Sequence, residues 1–222
     1  MIEAERRGDI TILRMDDGEN RFNPDNLDSL EAAFDDIDAS EGPTAIVLTG
    51  TGKFFSNGLD LEWMGAAPEG EPQKVVVRTQ ALLARMLVSP VAIVGAINGH
   101  AFAAGAMLAL ACDQLVMRED RGFFCLPEVD INIPFTPGMA ALIRARLSTR
   151  TAREAMLTGR RYGGHEALEA GIVDDIAAEV DVMARAVLRA GELAGKDRGV
   201  VSAIKSEMYG PVVEKLRDLP AV

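Results

Sequence analysis

The sequence is poor in the residues that mark metal sites and nucleic-acid-binding surfaces. It contains only two histidines, His100 and His165, which stand far from each other and from either cysteine at any zinc-ligand spacing. Basic residues are outnumbered too, since 23 Lys and Arg stand against 34 Asp and Glu, a net charge of −11. Such a chain repels a phosphate backbone at long range. We therefore expect no metal, no nucleic-acid partner, and structural or exposed roles for both histidines.

Cysteine and long apolar runs are scarce as well. Cys112 and Cys125 each lie inside an apolar segment of a chain without an export signal, which favours buried free thiols over a disulfide between them. The longest apolar stretches, residues 91–97 and 101–112, are too short to cross a bilayer. Charges fill the N-terminal "MIEAERRGDI", where a signal peptide would need its apolar core. These features predict a cytoplasmic protein that does not enter a membrane.

What the sequence does contain is a pattern of buried strands alternating with amphipathic helices. Residues 10–14 suggest a strand, and Asn-Pro at 23–24 marks the start of a helix. The β-branched apolar runs at 45–50 and 91–97 predict buried strands, with a helix at 71–89 between them. Strand, helix and strand in this order are typical of βαβ units, so we expect an α/β fold.

The last third of the chain differs. From Thr136 onward it carries helical periodicity with no strong strand signal. Gly159, Gly171 and Gly195 fit the ends of helices there. We therefore expect a helical C-terminal region.

Two motifs that would indicate nucleotide or hydrolase chemistry are incomplete. The sequence "GTGK" ends like a phosphate-binding loop, but the positions that need Gly and Ser or Thr hold Val47 and Phe54. Ser56 has neither a histidine partner nor a nucleophile-elbow motif, so we do not expect it to act as a hydrolase nucleophile.

Two glycine-containing segments remain, "FFSNGLDL" at 54–61 and "NGHAFAAGAMLALACD" at 98–113. Each follows an apolar strand, and two such turns side by side could aim two backbone N–H groups at one point. That arrangement is an oxyanion hole, which stabilises a negative oxygen without any special side chain. The alternative is that Ala103, Ala104 and Gly105 serve only close helix packing.

Four blocks of the sequence, in order and at matching spacing, resemble the enoyl-CoA hydratase/isomerase superfamily, the crotonases. They are "GKFFSNGLDLEWM", "INGHAFAAGAMLALACDQLVM", "LPEVDINIPF" and "AMLTGRRYGGHEALEAGIVDDI". Details such as "RFNPDNL" look most similar to the Δ3,Δ2-enoyl-CoA isomerase branch.

The resemblance implies a crotonase-like (ClpP/crotonase) α/β fold, a spiral of ββα units followed by C-terminal helices. We expect the spiral core at residues 1–147 and a helical trimerisation region at 148–222, in a homotrimer or a dimer of trimers. The resemblance also implies an acyl-CoA substrate. Coenzyme A would then enter as part of the substrate, and no separate cofactor is expected.

The catalytic roles that the resemblance implies fall on few residues. The N–H groups of Leu59 and Ala104 would hold the thioester oxygen, although family members usually have Gly at the positions of Ala103 and Ala104. Hydratases of the family use two glutamates; Met107 stands at the first position and Glu128 at the second. A single carboxylate favours isomerisation of 3-enoyl-CoA to 2-enoyl-CoA, in which Glu128 carries a proton from C2 to C4. Hydration of 2-enoyl-CoA and an inactive acyl-CoA-binding homologue are the alternatives.

Further residues are candidates for substrate contact. Around the two turns they are Ser56, Asn57, Gly58, Asp60, Leu61 and Gly105, and in the cleft Phe102, Met107, Phe124 and Ile133. Arg21 and Lys53 are candidate cations for the coenzyme A phosphates, with solvated surface charges as the alternative. Asp60 is also a candidate cap for the following turn, and Asp130 is a weaker catalytic candidate than Glu128. We interpret Glu62 and Asp113 as structural.

Overall fold

The computed structural model describes residues 2–42 and 44–218. Within them the chain forms two β-sheets and a set of surrounding helices. The strands are Ile2–Arg7 (β1), Ile10–Met15 (β2), Ala45–Gly50 (β3), Phe54–Ser56 (β4), Ala92–Ile97 (β5), His100–Phe102 (β6), Gln114–Arg118 (β7), Phe124–Cys125 (β8) and Asp175–Ala177 (β9). The helices are Pro24–Ala39 (α1), Leu61–Ala66 (α2), Glu71–Leu87 (α3), Ala104–Leu110 (α4), Pro137–Arg146 (α5), Thr149–Thr158 (α6), Gly164–Glu169 (α7), Val182–Ala194 (α8) and Arg198–Arg217 (α9). A 3₁₀ turn covers Pro127–Val129.

The larger sheet has six strands in the order β1-β2-β3-β5-β7-β9. β1 pairs with β2 antiparallel, and every other neighbouring pair in this sheet is parallel. The smaller sheet has three parallel strands in the order β4-β6-β8. Three successive turns, beginning at β3, β5 and β7, each place one strand in the larger sheet and the next in the smaller sheet before a helix, as β5-β6-α4 does; in the first unit, β1-β2-α1, both strands lie in the larger sheet. The expected spiral of ββα units is therefore confirmed.

Helices cover both faces of the larger sheet, which is why its central strands β3 and β5 are almost entirely apolar. All six residues of β3 are buried. On one face, α8 packs the small side chains of Ala186 and Ala190 against Val47 and Val94. On the other face, residues of α1, α3 and α4 form the larger part of the core. A strand buried on both faces is apolar at nearly every position, and the one polar side chain of β3, Thr49, donates to the carbonyl of Ala96. Each buried Val stabilises the fold by roughly 1.5–3 kcal/mol.

The strong sequence signals are confirmed. Helix α1 begins at Pro24, and the Asn23 side chain caps it by accepting a hydrogen bond from the N–H of Asn26. Strands β2, β3 and β5 and helix α3 coincide with the expected segments to within two residues. Gly159 ends α6 in the left-handed conformation, with φ +59°. Both cysteines are buried and free, as the sequence predicted.

Two strands of the structure have no clear strand pattern in the sequence. The C-terminal region is helical, as expected, but it also contains a short strand that gave no strong signal: Asp175–Ala177 extends the larger sheet by pairing with β7. This strand has three residues, too few to show a period, and its partner lies far away in sequence. The edge strand β1, "IEAERR", is mostly exposed, and its charged residues leave no apolar pattern by which a strand could be predicted.

The C-terminal helices dock on the core. Helix α9 packs against α3 and α5. Its buried Lys205 lies 2.7 Å from the carboxylate of Asp113, and its ammonium donates to the carbonyl oxygens of Ser89 and Val91. The division into residues 1–147 and 148–222 and the trimer stay predictions. Met1, Pro43 and residues 219–222 of those regions lie outside the described residues.

Candidate active site

The two glycine-containing turns of the sequence meet in the structure. Strands β4 and β6 pair in parallel, so the turns at their carboxyl ends lie side by side. A methyl group added to Gly58 would lie 2.9 Å from the backbone nitrogen of Ala104, and one added to Gly105 would overlap the carbonyl of Ser56. Side chains at these positions would force the two turns apart. The small residues of the two glycine-containing segments are therefore explained by the close approach of two backbones.

Two backbone N–H groups of these turns have no acceptor. Phe22 donates to the carbonyl of Gly58 and accepts from the N–H of Asp60, so the N–H of Leu59 between them points away from Phe22. Ala104 is the first residue of α4, where an N–H has no intrahelical partner. Neither amide donates a hydrogen bond to any residue in 2–42 or 44–218. Both residues line the same cavity.

Ala103 shapes the second turn. It has φ +50° and ψ −124°, a conformation that costs little only for glycine. Its N–H donates to the carbonyl of Cys125 at 3.0 Å, and its carbonyl accepts from the N–H of Met107 at 3.1 Å. These bonds on both sides hold the strained residue in place. The next N–H, that of Ala104, belongs to a residue that lines the cavity and has no acceptor within the described residues.

The cavity has a volume of about 520 Å³. Nine of its lining residues are ones that the sequence predicts for catalysis or substrate contact: Arg21, Asn57, Leu59, Leu61, Phe102, Ala104, Met107, Glu128 and Ile133. The other seven carry no substrate-contact or catalytic prediction from the sequence: Glu62, Ala103, Pro127, Ile131, Pro134, Phe135 and Met139. Most of these missed residues come from the segment after Glu128, where apolar residues recur in "VDINIPF" without a strand or helix to explain them.

Glu128 places a carboxyl group in this mainly apolar cavity. It lies in the 3₁₀ turn after β8 and is only 6% exposed. Burial raises its pKa to about 7, and a hydrogen bond from its own backbone N–H opposes part of that rise. Its Oε2 atom is buried and has no hydrogen-bond partner among the described residues. A carboxyl group in this state can both take up and release a proton near neutral pH.

One other carboxylate lines the cavity, that of Glu62, and its side chain is 90% exposed at the rim. Met107 is buried and lines the cavity with Glu128. The buried part of the cavity wall therefore carries a single carboxyl group. Asp130 does not line the cavity: a methyl group on Gly159 would overlap the carboxylate of Asp130.

Arg21 is fixed at the rim by acidic neighbours. Its guanidinium lies 2.6 Å from the carboxylate of Glu19, 3.6 Å from that of Asp60 and 3.8 Å from that of Glu62. The hydrogen bond to Glu19 is the main reason that the pKa of Arg21 is raised. Asn57 also donates to Glu19, at 2.7 Å. The cation that a phosphate would meet here is already partly neutralised.

Other residues predicted for substrate contact do not line the cavity, and each makes a contact elsewhere in the fold. Ser56 is buried beneath the first turn and donates to the carbonyl of Asn20. Gly58 and Gly105 provide the close approach described above. Asp60 caps α2 by accepting from the N–H of Trp63. Phe124 is buried in the core, and the ammonium of Lys53 lies 5.4 Å from the centre of the Phe54 ring.

No group of three or more His, Cys, Asp and Glu side chains in residues 2–42 and 44–218 could hold a metal ion. Burial and the positive charges of Lys53, Arg121 and Arg161 lower the pKa of His100. The expectations that the reaction uses no metal and no cofactor stay predictions.

Comparison with known proteins places this chain in a family. Residues 5–218 match the family described as Enoyl-CoA hydratase/isomerase. Enoyl-CoA delta isomerase 3 of Arabidopsis thaliana is 36% identical over 231 residues, covering 100% of this chain and 97% of that protein. The peroxisomal enoyl-CoA delta isomerase 2 of the same plant is 35% identical, covering 94% and 92%. The chain belongs to the enoyl-CoA hydratase/isomerase family, as the sequence resemblance indicated.

Solved structures agree on the fold. The crystal structure of a probable enoyl-CoA hydratase from Mycobacterium tuberculosis H37Rv superposes with a TM-score of 0.91 at 28% identity, covering 97% of this chain and 91% of that one. No helix within the described residues is long and apolar enough to cross a membrane. The cytoplasmic location stays a prediction.

Proposed function

We propose that this protein is a Δ3,Δ2-enoyl-CoA isomerase that converts 3-enoyl-CoA to 2-enoyl-CoA. The observation that carries the proposal is the pairing of one buried carboxyl group, Glu128, with two unbonded amides, Leu59 and Ala104, around one cavity. The two plant relatives named enoyl-CoA delta isomerases support this reaction over others of the family.

The amides supply the electrostatic part of the mechanism. The thioester oxygen accepts hydrogen bonds from the N–H groups of Leu59 and Ala104, and it gains negative charge as the C2 proton leaves. Each such donor stabilises the enolate-like transition state by about 3 kcal/mol. The donors are backbone atoms held by the strand pairing of β4 and β6, so they need no reorganisation when the charge develops.

Glu128 supplies the proton transfer. Its carboxylate removes a proton from C2, the C2–H electrons form the C2–C3 double bond through the enolate, and the C3–C4 π electrons take a proton at C4. The proton taken from C2 is returned at C4 by the same carboxyl group, so no other acid is consumed. A pKa of about 7 suits both steps, because the carboxyl group gives and takes the proton with similar ease.

The rest of the cavity favours isomerisation over hydration. Hydration needs a second group to orient a water molecule, and Met107 stands where the hydratases of this family have their first glutamate. The thioether of Met107 neither ionises nor holds water firmly. Apolar side chains such as Phe135 and Met139 complete the wall and bind an acyl chain by burial.

The assay that tests this proposal follows the ultraviolet absorbance of the conjugated 2-enoyl thioester as it forms from a 3-enoyl-CoA. We expect conversion by the wild type, loss of at least a hundredfold in kcat for Glu128→Gln, and little change for Glu62→Gln, whose carboxylate is at the exposed rim. Formation of a 3-hydroxyacyl-CoA from 2-enoyl-CoA as the main reaction would contradict the proposal. Tight binding of acyl-CoA without any conversion would also contradict it.

A further inference from the structure

The loop that follows Glu128 contains a residue in a conformation that few amino acids adopt. Asn132 has φ +58°, in the left-handed region that favours glycine and, among other residues, Asn and Asp. Its side chain is exposed and makes no hydrogen bond within the described parts of the chain. No contact of the side-chain amide with the described residues accounts for asparagine at this position. What the residue contributes to the loop is therefore its left-handed backbone conformation.

The left-handed residue allows the loop to return to Glu128. The N–H of the next residue, Ile133, donates to the carbonyl of Glu128 at 3.0 Å. The N–H groups of Asp130 and Ile131 donate to the carbonyl of Pro127 at 2.9 and 3.1 Å. The peptide that carries the Glu128 carboxyl is thus held by a ring of backbone hydrogen bonds that closes just after Asn132. Ile131 and Ile133, on either side of Asn132, line the cavity.

The far end of the same segment is fixed by a second contact. Thr136 caps α5 by accepting from the N–H of Met139, and its hydroxyl donates to Oε1 of Gln80 at 2.9 Å. Gln80 lies on α3 and is fully buried. Only Pro134 and Phe135 separate this anchor from Ile133, whose N–H closes the ring. Because Thr136 is fixed, a change of backbone conformation at Asn132 should move the segment that carries Glu128 and leave the start of α5 in place.

We propose that Asn132 is a positioning residue, whose left-handed backbone closes the ring of hydrogen bonds that holds the carboxyl group of Glu128 in the cavity. This inference rests on the proposed function only in assigning catalysis to Glu128. It makes a sharp distinction between substitutions. Glycine removes the side chain but keeps the conformation, whereas alanine and valine resist φ near +60°.

The experiment compares Asn132→Gly, Asn132→Ala and Asn132→Val with the wild type, measuring kcat, KM and the pH midpoint of kcat/KM. We expect Asn132→Gly to stay within about twofold of the wild type. We expect Asn132→Ala to lose roughly tenfold in kcat, and Asn132→Val more, since left-handed backbone is costly for both and costliest for a β-branched residue. Their pH midpoint should fall, because a displaced Glu128 regains water.

The pH midpoint distinguishes positioning from general damage. The charged residues on the elements around this carboxyl group are left unchanged in all variants: Arg21 and Glu62 on the cavity, Asp130 in the loop, and Arg150, Arg153 and Glu154 on α6, which packs against the 3₁₀ turn. The matched control is Gly8→Ala, where φ is +62° and an added methyl group meets nothing within 4 Å. It introduces the same backbone strain in the β1-β2 turn, and we expect lower stability with an unchanged pH midpoint.

Two results would overturn the inference. Asn132→Ala with wild-type kcat and pH midpoint would show that the conformation is dispensable, and Asn132→Gly failing as badly as Asn132→Ala would show that the side chain acts directly. If the wild type does not isomerise 3-enoyl-CoA, the proposed function fails, but the positioning claim is still measurable. Carbon NMR of labelled glutamate, with Glu128→Gln to assign the signal, then reports whether Asn132→Ala alone lowers the pKa of Glu128.

Discussion

Replacing Glu128 by glutamine should make the protein more stable at high pH while removing its activity. The pKa of Glu128 is raised to about 7 from an ordinary value of 4.5, and burial is the cause. Between these two values the unfolded chain releases its proton and the folded chain keeps it, so stability falls as pH rises. Below the lower value both states are protonated and nothing is lost. Above the higher value the full cost of burying the charge is present.

The size of the effect follows from the pKa difference. At about pH 8.5 the buried carboxylate costs about 3 kcal/mol, and at about pH 5 it costs under about 1 kcal/mol, since one pKa unit corresponds to about 1.4 kcal/mol. Glutamine keeps the shape of the side chain and cannot ionise. It leaves a polar atom without a partner, as Glu128 itself does, but that cost does not depend on pH. The stabilisation by Glu128→Gln should therefore grow by roughly 2–3 kcal/mol from about pH 5 to about pH 8.5.

Urea unfolding of the wild type and Glu128→Gln at the two pH values measures this difference directly. Glu62→Gln is the matched control, because that carboxylate is 90% exposed and its removal should give no comparable change with pH. Equal stabilisation of Glu128→Gln at both pH values would refute the reasoning, since it would mean that Glu128 ionises in the folded protein as it does in water.

Three further predictions concern the turns and the C-terminal helix. Ala103→Gly should keep the N–H geometry and raise stability by about 1 kcal/mol in thermal melts, since it relieves a conformation with φ +50°. Gly105→Ala should lower kcat by more than about tenfold with a smaller effect on KM. Its methyl group would overlap the carbonyl of Ser56 and push the two turns apart, which moves the amides of Leu59 and Ala104 away from each other. Lys205→Met should cost about 3–5 kcal/mol in urea unfolding, because it leaves the partly buried carboxylate of Asp113 without its cation.

How far the sequence predicts the fold depends on where each element obtains its stability. Strand β3, "AIVLTG", is buried on both faces, so its apolar composition identifies it. Strand β9, "DIA", exists because β7 offers a partner, and no local pattern records that pairing. Helix α1 carries its own start signal in the cap of Asn23, which is a contact between near neighbours in sequence.

The candidate site divides in the same way. Glu128, Leu59 and Ala104 lie in motifs whose order and spacing resemble a family, and the structure brings all three to one cavity. Ser56 and Gly105 belong to the same motifs, yet they lie where the two turns pack: Ser56 ends strand β4, and Gly105, in the first turn of α4, lies against the carbonyl of Ser56. Phe135 and Met139 line the cavity through a loop and a helix start, where no period reveals which side is inward.

The central claim is that one carboxyl group carries hydrogen from C2 to C4 while two backbone amides hold the thioester oxygen. The most direct measurement uses a 3-enoyl-CoA deuterated at C2 and locates the label in the product by mass spectrometry. We predict that part of the deuterium appears at C4 with the wild type and that Glu128→Gln forms product at least about a hundredfold more slowly. Isomerisation by Glu128→Gln at the wild-type rate would contradict the account.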